Sequence, residues 1–257
     1  VVSLAQNAGK MEVPDMPNER ADLQGQEAIV TGGSGAIGRA IVDALTLAGA
    51  HATSLDVSDP GEKREWVRCD VRDADSVAAA VESVYSRAGR LDLVIHAAGI
   101  SRDAVIWKMG VAEWDAVQAV NLRGAFLLLR QSIPLLRQRQ AGRIVLIGSI
   151  NGSRGKFGTS AYSASKAGLI GLGKSVAREV GRFGILVNVV EPGWVRTPLT
   201  EATPTAAKEA ALAESLLHRF VEPADVAASV LFLCGPGGTR ITGQILRVDG
   251  GQFLGGV

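Results

Sequence analysis

One joint near the start of the chain restricts its fold more than any other feature. Glu27-Ala-Ile-Val-Thr31 reads as a strand, Gly32-Gly-Ser-Gly-Ala-Ile-Gly38 as a tight turn, and Ile37, Ile41, Ala44, Leu45 and Ala48 recur behind it at helical spacing. A strand delivered through a glycine turn into an amphipathic helix is the first half of a parallel crossover. The glycines let the backbone turn tightly and approach a pyrophosphate, and the helix N-terminus offers unpaired N–H groups and the positive end of its dipole. Gly32, Ser34, Gly35, Ile37 and Gly38 are therefore the first binding candidates. A glycine turn alone also suits a plain bend, so the reading needs support from elsewhere.

The pattern repeats along the chain. His51 to Leu55 reads as a second strand ending at Asp56, and Glu65 to Cys69 as a third ending at Asp70. Only Val57 to Arg64 separate them, too few for a full crossover helix, so a turn is expected there. A helix over Asp75 to Arg87 leads to a strand, Leu91 to Ile95, that opens into His96-Ala-Ala-Gly99. A long helical stretch, Val111 to Gln138, passes through Asn121 and is expected to break at Pro134. Arg143 to Ile147 is strand-like, a loop rich in Gly and Ser follows Ser149, and a helix carries Tyr162 and Lys166 to about Phe183. Ile185 to Val190 is a sixth strand, residues 223 to 234 a helix, and Gln244 to Val248 the last strand. Strands alternating with helices imply an α/β fold, a Rossmann-type doubly wound parallel sheet with helices on both faces. One domain is expected over 24–257, with a mobile lid at about 194–220 and residues 1–23 as a loosely ordered extension.

Composition narrows the function. The 257 residues are 47% hydrophobic and 21% charged with a formal net charge of +1, which leaves no electrostatic footprint for nucleic acid or a membrane surface. Two cysteines, Cys69 and Cys234, and three histidines are too few for a disulfide framework or a structural metal site, so no metal is expected. No apolar run is long enough to span a membrane and no basic-then-apolar leader is visible, so a cytoplasmic location is expected.

The chemistry gathers in Ser149 to Lys166. Tyr162 and Lys166 are four apart on one helix and share a face, and Ser149 stands at the end of the strand before them. A neighbouring ammonium favours a phenolate, and a strand-end hydroxyl can hold a carbonyl oxygen against it. Such a set moves a proton for an alcohol–ketone pair once something supplies a hydride. Asp56 strengthens the link to the glycine turn. A carboxylate at the end of the second strand accepts the 2′- and 3′-hydroxyls of an adenosine ribose and repels a 2′-phosphate, which favours NAD(H) over NADP(H).

These residues together resemble the short-chain dehydrogenase/reductase family, single-domain branch, from about Gln26 to Gln252. Thr31 to Gly38 looks like its nucleotide loop, and Asp70-Val71 is similar to the pair whose aspartate meets the adenine. His96-Ala97-Ala98-Gly99 occupies the place of Asn-Ala-Ala-Gly. Pro192-Gly193-Trp194-Val195-Arg196-Thr197 resembles the segment at the nicotinamide end, with Thr197, and Val195 through its backbone, expected on the carboxamide. Asn121, Ser149, Tyr162 and Lys166 match the catalytic four. The resemblance implies Tyr162 as general acid or base and Lys166 as the group that lowers its pKa and binds the nicotinamide ribose. It further implies Ser149 on the substrate oxygen and Asn121 holding a water that joins Lys166 to solvent. His96 departs from the pattern and is expected to change local hydrogen bonding and not the reaction.

For substrate, Ser101 to Met109, then Glu113-Trp114, looks like 3-oxoacyl-thioester reductases, and Ser149-Ile-Asn-Gly152 with Gly155-Lys-Phe-Gly158 is similar to their acetoacetyl-CoA reductase branch. A small-molecule substrate, an acyl thioester on the first reading, is therefore expected, with Asn151, Phe157 and Trp194 as pocket candidates. Asp56 counts against a typical biosynthetic reductase, which takes the phosphorylated cofactor. A dehydrogenase of another secondary alcohol (cyclic alcohol, polyol or aryl carbinol) and, more distantly, a non-catalytic NAD-binding scaffold stay open. Family members are commonly tetramers, which implies a homotetramer.

Overall fold

A computed structural model describes residues 22–61, 64–201 and 203–255. Seven strands form one parallel sheet: β1 (Glu27–Thr31), β2 (His51–Asp56), β3 (Trp66–Arg68), β4 (Leu93–His96), β5 (Gly142–Ile147), β6 (Ile185–Pro192) and β7 (Ile245–Val248). Their order is β3-β2-β1-β4-β5-β6-β7, and every pairing is parallel. Between them run α1 (Ala36–Leu47), α2 (Ala74–Ala88), α3 (Val111–Gln118), α4 (Gly124–Arg139), α5 (Ile150–Arg154), α6 (Ser160–Val180), α7 (Pro198–Glu201), α8 (Thr205–Glu214) and α9 (Pro223–Cys234).

Helices cover both faces, which is why the central strands are apolar throughout. All five residues of β1 are buried. On one face Ile41 and Leu45 of α1 pack with Val226 and Val230 of α9; on the other, Val81 of α2, Leu128 of α4 and Leu169 and Val176 of α6 form the second core. Ile41 and Leu45 have no exposed surface, and each such burial contributes about 1.5–3 kcal/mol. Their anchoring aims the α1 N-terminus at the point where strand order reverses, between β1 and β4. Ligands of open α/β sheets bind in that crevice.

The structure departs from the sequence reading in five places. Leu23, assigned above to the extension, is 1% exposed and its N–H donates to Ala48 O at 2.8 Å, so it belongs to the folded domain; residues 1–21 lie outside the described residues. Pro134 does not break α4, which runs through it to Arg139. The irregularity falls earlier, in a wide π-helical turn at Ala119–Arg123. The Gly/Ser loop after Ser149 is instead the short helix α5, with the Ser149 hydroxyl capping it by accepting from Asn151 N. Finally, β6 continues through Glu191 and Pro192, whose partners on β7 are Arg247 and Val248.

Candidate active site

The crevice beside β1 is a cavity of about 400 Å³ lined by Gly32, Gly35, Asp56, Asp70, Val71 and Ala97 to Gly99 among others. Backbone makes most of it. Gly32 has φ +70°, and a Cβ there would stand 2.6 Å from Ala98. A Cβ on Gly38 would stand 2.1 Å from the Gly32 carbonyl oxygen, so α1 can start this close to the turn only as glycine. Gly35 precedes α1 with no side-chain cap and no acid in the first turn, which leaves the N–H groups near Ile37 and Gly38 for an anion. Asp56 is half-buried and braces the turn: it accepts Ser34 N–H at 3.1 Å and Ser58 N–H at 3.1 Å. Asp70 is held by Arg72 at 2.6 Å, and the guanidinium's hydrogen bonds keep this carboxyl below its ordinary pKa. The small lining, the orphan amides and the carboxylate at the end of β2 suit an adenosine diphosphate group. Ile100, Arg102, Val120 and Cys69 also line the cavity and had no sequence signal. Cys69 is buried, which raises its thiol pKa to about 11.

At the other end of the cleft the structure brings Ser149, Tyr162 and Lys166 together. Ser149 is 7% exposed and Lys166 3%, with Lys166 Nζ donating to Ile147 O at 2.7 Å and lying 5.6 Å from the Tyr162 ring centre. Lys166 is thus no solvated surface lysine. Burial pushes its pKa down to about 8. Among the protein's own groups, Tyr162 moves opposite to the sequence expectation: burial raises its pKa, the Ser149 hydroxyl opposes the rise, and the Asp103 carboxylate adds to it. The cost of burying a phenolate outweighs the one favourable bond, from Ser149.

Asn121 has no exposed surface and does not face water. Its side chain accepts Ile100 N–H at 2.8 Å and donates to Ile100 O at 3.0 Å and Ser165 Oγ at 2.9 Å. These bonds tie the wide turn to the Ile100 backbone and to α6. Its carbonyl accepts from His96 Nε2 at 3.2 Å, which fixes the histidine tautomer: Nδ1 must then accept from the Thr31 hydroxyl at 2.9 Å. Burial, then the Lys166 charge, pushes the His96 pKa down to about 3, with the Asn121 bond opposing, so the ring is neutral.

The third group of predicted residues runs from the end of β6 and is tied to β7 and α7. Gly193 N–H donates to Val248 O at 3.0 Å, Val195 is buried, and Thr197 bonds Thr200 at the start of α7. Trp194 is half-buried between Phe220, 6.0 Å away, and Lys156, whose ammonium is 4.8 Å from its ring centre. Phe157 does not join them and is 84% exposed. Asn151 is half-buried and accepts from Arg154 Nε at 3.3 Å. Asp103 and Lys156 fall inside the two stretches that resemble thioester reductases but are not among the site residues read from the sequence; the fold brings their charges toward Tyr162 and Trp194. Asp92 holds Glu27 N–H, Arg90 and Arg139 and is structural. Among the described residues no helix is long and apolar enough to cross a membrane.

A family model described as enoyl-(acyl carrier protein) reductase matches residues 32–252. The chain is 36% identical to the 3-oxoacyl-(acyl-carrier-protein) reductase of Thermotoga maritima, covering 90% of this chain and 99% of the relative. It is 38% identical to the acetoacetyl-CoA reductase of Synechocystis, covering 89% and 96%. The ligand-free aldohexose dehydrogenase of Thermoplasma acidophilum superposes with a TM-score of 0.86 at 31% identity, covering 93% and 98%. The chain belongs to the short-chain dehydrogenase/reductase family of NAD(P)-dependent oxidoreductases.

Proposed function

We propose that the protein interconverts a 3-oxoacyl thioester and its 3-hydroxyacyl form with NAD(H). The observation that carries the reading is the meeting of Tyr162, Lys166 and Ser149 at the end of a cleft shaped for a dinucleotide. When bound, the nicotinamide supplies or takes the hydride. Gly32, Ser34, Gly35, Ile37 and Gly38 would hold its pyrophosphate, Asp56 the adenosine ribose, and Asp70 and Val71 the adenine. Ala97, Ala98, Gly99, Pro192, Gly193, Val195 and Thr197 would line the path to the nicotinamide, with Lys166 on the nicotinamide ribose.

The residues divide the remaining work. Ser149 Oγ accepts a backbone N–H, and the proton that it turns toward the Tyr162 oxygen would pass to a substrate oxygen bound between them. Tyr162 gives its proton to that oxygen in reduction and takes it back in oxidation. A phenol raised by burial is fully protonated near neutral pH, which suits reduction; oxidation needs the positive charges of Lys166 and of oxidised nicotinamide to draw the proton off. Asn121 keeps the wide turn and the Ile100 backbone in place beside Lys166. Asp56 favours the unphosphorylated cofactor, because a 2′-phosphate would meet a carboxylate already committed to the loop amides.

The thioester class is supported by the two reductase relatives, whose names carry that chemistry. A homotetramer in the cytoplasm is proposed from family habit. The second reading, oxidation of a different secondary alcohol, is favoured by the likeness to the aldohexose dehydrogenase. Steady-state assays with acetoacetyl-CoA, against cyclic alcohols, polyols and aryl carbinols, separate the two. Turnover of the thioester at a kcat/KM at least tenfold above the free alcohols is expected, and turnover of the free alcohols alone would remove the first reading.

A further inference from the structure

Three residues from distant parts of the chain close a hydrogen-bonded ring at the substrate end of the cleft. Gln252, in the tail after β7, is 3% exposed, and both ends of its side-chain amide are used. Its Oε1 accepts Trp194 N–H at 2.8 Å and its Nε2 donates to Glu214 Oε2 at 3.0 Å. Its backbone carbonyl accepts from Arg154 Nη1 at 3.1 Å. Arg154 donates through Nη2 to the same Glu214 oxygen at 2.8 Å, and through Nε to Asn151 Oδ1 at 3.3 Å. Burial alone would raise the Glu214 pKa, but the bonds from Arg154 and Gln252 outweigh it and hold the carboxylate charged.

The position of each partner gives the ring its meaning. Arg154 ends α5, the helix that Ser149 caps, and Glu214 ends α8, the main helix of the lid region. Trp194 follows Gly193, itself packed so tightly on the tail that a Cβ would come within 2.8 Å of Gln252 Oε1. On its other side α5 is seated on α6, since a Cβ on Gly152 would stand 2.8 Å from the Lys166 backbone. α8 is therefore tied through side-chain bonds to the helix that Ser149 caps and to the Gly193–Trp194 backbone. A packed, charge-assisted ring has few alternative arrangements.

We propose that Arg154, Glu214 and Gln252 are positioning residues that seat the lid helix α8 on α5 and on the Gly193–Trp194 backbone, so that α8 completes the substrate-binding surface beside Ser149. The proposal rests on Ser149 orienting the substrate carbonyl. The test uses Glu214→Leu and Glu214→Gln in the full chain, because Glu214 lies at a partly exposed helix end where either side chain can be accommodated. Glu214→Leu loses both acceptors. It is expected to raise KM for the turned-over ketone about tenfold, with kcat changed less than about threefold and amide exchange of residues 205–214 about tenfold faster. Glu214→Gln keeps an acceptor and should stay within about threefold of the parent in both readouts. ADP, which occupies only the adenosine side, should bind all three proteins within about twofold. Unchanged KM and unchanged exchange in Glu214→Leu would overturn the proposal, and so would ADP binding weakened as much as substrate binding. If the parent reduces no ketone, the functional reading fails, while exchange at 205–214 still decides whether the ring seats the lid.

Discussion

The two ends of the cleft are built by different means. At the dinucleotide end, backbone packs on backbone: Gly32 lies against Ala98, Gly38 against Gly32, and Asp56 braces the turn through amides. The partners sit in one turn or on adjacent strands. At the substrate end, long side chains bridge elements far apart in the chain: Arg154 to Gln252 and Glu214, and the buried Glu191 to Ser153 and Arg247. A backbone-made surface tolerates little change but is indifferent to the substrate it serves. A side-chain-made surface can be rebuilt one residue at a time while the cofactor end stays fixed. That contrast fits a family whose members share the dinucleotide reaction and differ in substrate.

The comparison can be broken most sharply at Gly38. Gly38→Ala places a methyl 2.1 Å from the Gly32 oxygen, so the turn must open. NADH binding is expected to weaken about 100-fold or more, at a stability cost of about 1–3 kcal/mol. Calorimetric titration and thermal unfolding check both. Near-parental binding would mean the turn is not the rigid cradle described.

A smaller effect is expected at Asp56. Asp56→Asn keeps an acceptor for Ser34 N–H but removes the charge, so the ratio of kcat/KM for NADH over NADPH should fall about tenfold. Parental enzyme preferring NADPH would contradict the role given to this carboxylate.

The smallest is at His96. The unfolded histidine takes a proton near its ordinary pKa of 6.5, whereas the folded ring resists until about 3. The folded state binds fewer protons across that window, so stability is full above it and is lost as pH falls. His96→Asn should flatten the decline in Tm between about pH 6.5 and about pH 5. Equal slopes in parent and variant would show that the buried ring takes up a proton.

Legibility follows the same division. The alternating apolar runs and helical periods place the strands and long helices within a residue or two, because burial on both sheet faces writes itself into local composition. The glycine turn, Asp56 and the Ser149, Tyr162 and Lys166 set were readable for the same reason, since their spacing is local. The wide turn at Asn121 was not, because the partners of its side chain, Ile100 and Ser165, are brought to it only by the fold. The near-complete burial of Lys166 was hidden, as helical spacing reports a face but not what covers it. Arg154, Glu214 and Gln252 look like ordinary surface polar residues until β7 and the lid bring them together. Pro134 misled in the other direction, since the packing of α4 on the sheet carries the helix through it.

In the function proposed above, one end of the cleft holds the dinucleotide and the other moves the proton. Tyr162→Phe tests it directly, because it removes one oxygen from the proton-transfer end and leaves the backbone cradle untouched. Turnover should fall about 10²- to 10⁴-fold while NADH affinity stays within about twofold. Turnover near the parental rate in this variant, with NADH bound, would contradict the account.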